Sequence, residues 1–78
     1  MMQSVARTVD IRSFRCPMTW VRVKLALEAI AVGEVLEVLL RGEEPERNIP
    51  RSAQDEGHEL LGREEGPEGT RIWLRKGC

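Results

Sequence analysis

Cys16 is followed directly by Pro17, and a proline at the first position of a helix loses nothing by lacking an N–H, so the pair reads as a helix start. This puts the thiol at the amino end, where unpaired N–H groups and the positive end of the macrodipole favour an anion such as a thiolate. Between Arg7 and Lys24 stand five bases, Arg7, Arg12, Arg15, Arg22 and Lys24, against one acid, Asp10. A free thiol ionises near ~8.5, and helix ends and nearby cations lower that to roughly 3.5 to 7.5. Cys16 is therefore a candidate nucleophile. Placement alone balances this against a small buried filler, because free cysteine is among the most buried residue types.

The remaining reactive residues offer less. Cys78 is the last residue, with no CxxC partner and no second cluster, so no tetrahedral metal site is expected. A Cys16 to Cys78 bridge is geometrically open but runs against the reducing cytosol, and Cys78 reads as an accessory thiol sooner than a resolving one. His58, the only histidine, follows Gly57 and reads as structural, since a catalytic base needs a proximity that residue type cannot supply.

The elements that must position Cys16 follow from patterning. Val5 to Ile11 alternates in the manner of a half-buried strand. From Met18 to Val32 there is neither Gly nor Pro, and Met18, Val21, Leu25, Ala29 and Val32 recur at helical spacing, so this face is expected to pack on a sheet. Trp20, Val23, Leu27 and Ile30 make a second apolar stripe, and Gly33 is expected to cap the helix. Val35 to Leu40 reads as a buried strand, parallel to the first through the helical crossover. A weaker second helix is expected to become regular near Pro50, with Asn48 as its cap, Ile49 and Ala53 as its apolar pair and Gly57 as its end. His58 to Glu64 and Thr70 to Lys76 flank Glu65-Gly66-Pro67-Glu68-Gly69 as a hairpin. The order is β-α-β-α-β-β. If Ile72 and Leu74 face the core, Trp73 faces away from the helices, which hints at self-association.

At 78 residues the chain holds one domain, 1–78, with a thin aliphatic core, and its net charge of −1 disfavours a polyanion-binding arm. No apolar run approaches the ~20 residues that cross a bilayer, and Met1 to Arg7 lacks a secretory signal, so the chain is read as cytoplasmic and without a membrane partner.

In order and spacing, Val9-Asp10, Phe14-Arg15-Cys16-Pro17, Gly33-Glu34, Leu36, Val38, Asn48-Ile49-Pro50, Gly57-His58-Glu59-Leu60 and Leu74-Arg75-Lys76 resemble the TusA/SirA family of sulfur-carrier proteins. The family motif is Cys-Pro-x-Pro after a hydrophobic-Arg pair. Here Thr19 stands at its last position and Lys24 where the family commonly has arginine. The resemblance implies an α+β fold: a two-layer α/β sandwich with a four-stranded mixed sheet and two helices on one face. It also implies that Cys16 takes sulfane sulfur from a cysteine desulfurase or rhodanese, holds it as a persulfide and passes it to an acceptor protein, with no metal or organic cofactor. Arg15, Pro17 and Lys24 are the accompanying binding residues. Family pathways range over tRNA thiolation, cofactor synthesis and sulfur oxidation, and neither pathway nor oligomeric state is legible.

Two other classes compete. A regulatory or scaffolding module of the same fold, without transfer activity, would account for Thr19. RNA binding draws on the basic cluster and on the likeness of the sandwich to a translation-factor domain, but no aromatic stacking platform is evident, and direct nucleic-acid binding is not expected.

Overall fold

In a computed structural model, which describes residues 5–15 and 18–78, the chain forms β1 (Val5–Asp10), α1 (Met18–Glu28), β2 (Val35–Leu40), α2 (Glu43–Asp55), β3 (Glu59–Gly66) and β4 (Gly69–Arg75). The strands make one mixed sheet in the order β1-β2-β4-β3. β1 runs parallel to β2, and β4 lies antiparallel to both β2 and β3. The most apolar strand therefore sits in the middle of the sheet. Leu36, Val38 and Leu40 of β2 join Ile72 and Leu74 of β4, all fully buried, in a core that α1 completes with Val23 and Leu27 and α2 with Ile49 and Ala53. Both helices thus cover one face, as expected. Among the described residues no helix is long and apolar enough to cross a membrane.

α1 turns a different face to the sheet from the one its periodicity favoured. Its buried residues are Thr19, Val23, Ala26 and Leu27, continued by Ile30, whereas Met18, Val21, Leu25 and Val32 are exposed. The helix is apolar nearly all round, so spacing alone does not select a side. The choice falls to the stripe that includes the small Thr19 and Ala26, which let the helix axis approach the strands. Trp20 packs against the margin of this core. α1 also ends at Glu28, before Gly33. Gly33 does take a positive φ, of 90°, but in a separate turn where the Glu34 N–H donates to the Ala31 carbonyl at 3.0 Å.

α2 begins at Glu43, seven residues ahead of Pro50. Glu43, Glu44 and Glu46 place carboxylates against the positive end of its dipole, Pro45 falls in the first turn where an N–H has no helical partner, and no side chain caps the end. Pro50 lies inside the helix, where it removes the donor to the Glu46 carbonyl at a typical cost of ~3 kcal/mol. Burial of Ile49 and Ala53 on either side opposes that cost. Gly57 ends α2 as expected. With φ at 93° its N–H reaches the Gln54 carbonyl and that of His58 the Ala53 carbonyl, at 3.0 and 2.9 Å. The His58 ring accepts a hydrogen bond at Nδ1 from the Gly77 N–H, at 3.1 Å.

The hairpin is tighter than its composition suggested, because Gly66 and Gly69 pair as the last rung and leave Pro67-Glu68 as the turn. Trp73 stands opposite Ile72 and Leu74, on the face without helices, as expected.

The connection from β1 to α1 is held at both ends. The Ile11 N–H extends the β1–β2 pairing to the Leu39 carbonyl at 3.0 Å, and the Ile11 side chain is 1% exposed. Asp10 then accepts from the Arg12 backbone N–H and from the Arg12 guanidinium, at 2.8 to 3.0 Å. These bonds lower the Asp10 pKa from 3.8 to about 2.

Two expectations follow. Leu27→Ala should destabilise by about 2–5 kcal/mol, a large part of what a chain of this size holds at ~0.05–0.15 kcal/mol per residue. Leu25→Ala, on the 58% exposed position, should stay within about 0.5 kcal/mol. Chemical denaturation of the two variants checks which stripe faces the sheet, and equal losses would contradict the packing. For Asp10, a depressed folded-state pKa contributes stability above the unfolded value that disappears as pH falls through the folded one. Wild type should therefore exceed Asp10→Asn at pH 7 by less than about 1 kcal/mol, since the pair is half exposed and screened. Melting curves should converge between pH 4 and pH 2.

Candidate functional site

The segment that leads into α1 builds a cationic pole. Phe14 packs against the core and its N–H donates to the Ile11 carbonyl at 3.1 Å, which folds the chain back over the sheet end. Arg22, one turn into α1 from Met18, lays its guanidinium 4.6 Å from the centroid of the Phe14 ring, a cation–π contact that draws it toward the helix start. Arg15 is exposed, and its carbonyl accepts the Met18 N–H at 2.8 Å. Cys16 and Pro17, the expected nucleophile and its neighbour, lie outside the described residues. Arg15 and Met18 frame them on either side.

Electrostatics at this pole are one-sided. Asp10, the only acid in the stretch, is spent on Arg12, which also lies 3.6 Å from Glu68. Among the described residues neither Arg15 nor Arg22 has a carboxylate within 4 Å. Their charge adds to that of the first N–H groups of α1, so an anion held at this end of the helix is favoured on two counts.

Lys24 does not join them. It stands six residues beyond Met18, about 9 Å along the axis, and its ammonium lies 3.9 Å from Glu56 just past the end of α2. Cys78 is at that same end. Its thiol donates to the Glu56 carbonyl at 3.2 Å and is exposed, close to where Val35 and Arg75 pair. Arg15 and Met18 lie at the other end of the sheet, past the Asp10–Leu39 rung. Arg15, just ahead of α1, and Arg22, whose guanidinium turns to the Phe14 ring, thus lie toward the start of α1, whereas Lys24 and Cys78 both lie by Glu56.

The expectation that Met18, Val21 and Leu25 are core is replaced by an exposed apolar stripe that starts at this pole, with Arg22 and Lys24 alongside. The signal that could have revealed it was Thr19 and Ala26, whose spacing with Val23, Leu27 and Ile30 completes a second helical face. The arrangement offers an anion-favouring helix end beside a patch of apolar and basic character, suited to protein contact.

Comparison with known proteins bears on the same segment. A family model described as sulfurtransferase TusA matches residues 7–76. A proposed sulfur carrier protein of Archaeoglobus fulgidus is 44% identical over 69 residues, covering 87% of this chain and 78% of its own. The sulfur carrier protein TusA of Pseudomonas entomophila is 32% identical over 69 residues, covering 88% and 86%. The crystal structure of a SirA-like protein from Desulfitobacterium hafniense shares the fold, with a TM-score of 0.78 at 24% identity over 92% of this chain and 99% of that one. With the match running from β1 through the pole of α1 to the end of β4, the chain belongs to the sulfurtransferase TusA family.

Proposed function

We propose that this chain is a sulfur carrier that holds sulfane sulfur as a persulfide on Cys16 and relays it from a donor persulfide to an acceptor protein. Kinship with the named sulfur carriers supports the general role. The observation that carries the particular one is the cationic start of α1, with Arg15 next to Cys16 in sequence and, among the described residues, no carboxylate within 4 Å of Arg15. Such a setting favours the thiolate, which is the species that attacks.

The transfer balances without an outside oxidant. The Cys16 thiolate attacks the terminal sulfur of a donor cysteine persulfide, of the desulfurase or rhodanese class. A new sulfur–sulfur bond forms to Cys16, the donor's sulfur–sulfur bond breaks, and the donor cysteine leaves as a thiolate. The terminal sulfur carries its own proton, or its negative charge where the donor persulfide is ionised, across to Cys16. A thiolate on the acceptor repeats the exchange and regenerates Cys16. The Met18, Val21 and Leu25 stripe with Arg22 and Lys24 supplies the contact surface for partners with an apolar centre and an acidic rim.

Intact mass after incubation with a persulfide donor tests this reading. Wild type and Cys78→Ser should each gain ~32 Da, lost on reduction, while Cys16→Ser should gain nothing at Cys16 and keep its far-UV circular dichroism. Loading of Cys16→Ser at Cys78 to the wild-type extent would overturn the assignment. A folded wild type that takes up no sulfur from any donor would leave the regulatory module as the better reading.

A further inference from the structure

The sheet bears both helices on one face and leaves the other bare. There Val35, Leu61 and Trp73 surround an open groove of about 390 Å³, with Val5 at its margin. Trp73 lies beside its cross-strand neighbour Gly62, where a Cβ would meet Trp73 Cε3 at 3.5 Å, an ordinary packing distance. Charge is arranged around this strip in columns. β2 contributes Glu37, β4 contributes Arg71 and Arg75, and β3 contributes Glu59 and Glu64. Arg71 reaches Glu37 at 3.4 Å and Glu64 at 3.7 Å, and Arg75 pairs with Glu59.

We propose that this bare face is the interface of a homodimer, formed by two copies of the chain packed sheet against sheet. An apolar centre with a charged rim of both signs is the anatomy of a protein interface, and alternation of acidic and basic columns makes the face complementary to itself. The columns also select the symmetry. A two-fold axis running across the strands would stack the β4 arginines on their own copies. An axis along the strands, between β2 and β4, lays them over the partner's β2, whose only charge is acidic. Size agrees: the molecule measures 28 × 27 × 17 Å, so the bare face spans roughly 750 Å², near the ~800 Å² that each partner gives to a standard interface, whereas a narrow side spans roughly 480 Å². The start of α1 remains outward on both copies. The proposal is independent of the sulfur reading.

Sedimentation velocity of the full chain from about 10 µM to about 1 mM tests it, a range that brackets weak to moderate association. The mass should rise with concentration from 8.9 kDa toward twice that value. Trp73→Glu should weaken association at least tenfold with unchanged circular dichroism. Should that variant fail to fold, the rim decides: Arg71→Glu should weaken association and the added Glu37→Arg should restore it. A monomer at every concentration would overturn the proposal. So would a dimer insensitive to these variants, or concentration-dependent amide shifts confined to Met18, Val21 and Leu25, which would place self-contact on the helices.

Discussion

The rotational setting of α1 is the constraint on which the rest depends. Val23 and Leu27 seat the helix in the core it shares with Leu36 and Val38, and the small Thr19 and Ala26 are buried on the same side. Fixing that side also fixes what remains outside. Met18, Val21 and Leu25 become surface, Arg22 reaches back to the Phe14 ring, and the first turn of α1 is aimed past the end of β1 and β2. One packing choice therefore produces both the anion-favouring pole and the contact patch beside it. Loss of the inner stripe would therefore disturb the two together.

Charge at the pole depends on a second, smaller device. The basic run of the β1–α1 segment would gain little field if Asp10 faced Arg15 or Arg22. The clasp of Asp10 by the backbone and guanidinium of Arg12 removes the acid from that competition and uses it to close the turn out of β1. Lys24, drawn to Glu56, contributes to the far end of α1 instead. The cationic character is thus concentrated on Arg15 and Arg22, one on each side of the helix start.

Much of this architecture was legible because its signals are local. Alternation in β1, the apolar run of β2, and the Gly-Pro-containing turn between β3 and β4 each act within a few residues, and the parallel β1–β2 pairing follows from strand, helix, strand order. The face of α1 was not legible, since a helix apolar on two sides offers two periodic solutions and only the shape of the sheet chooses. The start of α2 was hidden by Pro50, near which the helix was expected to become regular; three glutamates within its first turn were the contrary signal. Arg15 could be placed at the pole by its adjacency to the helix start. Lys24 could not be excluded from it without knowing that Glu56 would lie within its reach.

The central claim is that the start of α1 makes Cys16 an activated thiolate. Its most direct test is the rate of Cys16 alkylation by iodoacetamide against pH, in a Cys78→Ser background and at low and high salt. The account predicts a midpoint below the free-thiol value of ~8.5, raised by Arg15→Glu and moved less by Lys24→Glu. A wild-type midpoint near ~8.5, unmoved by Arg15→Glu, would contradict it.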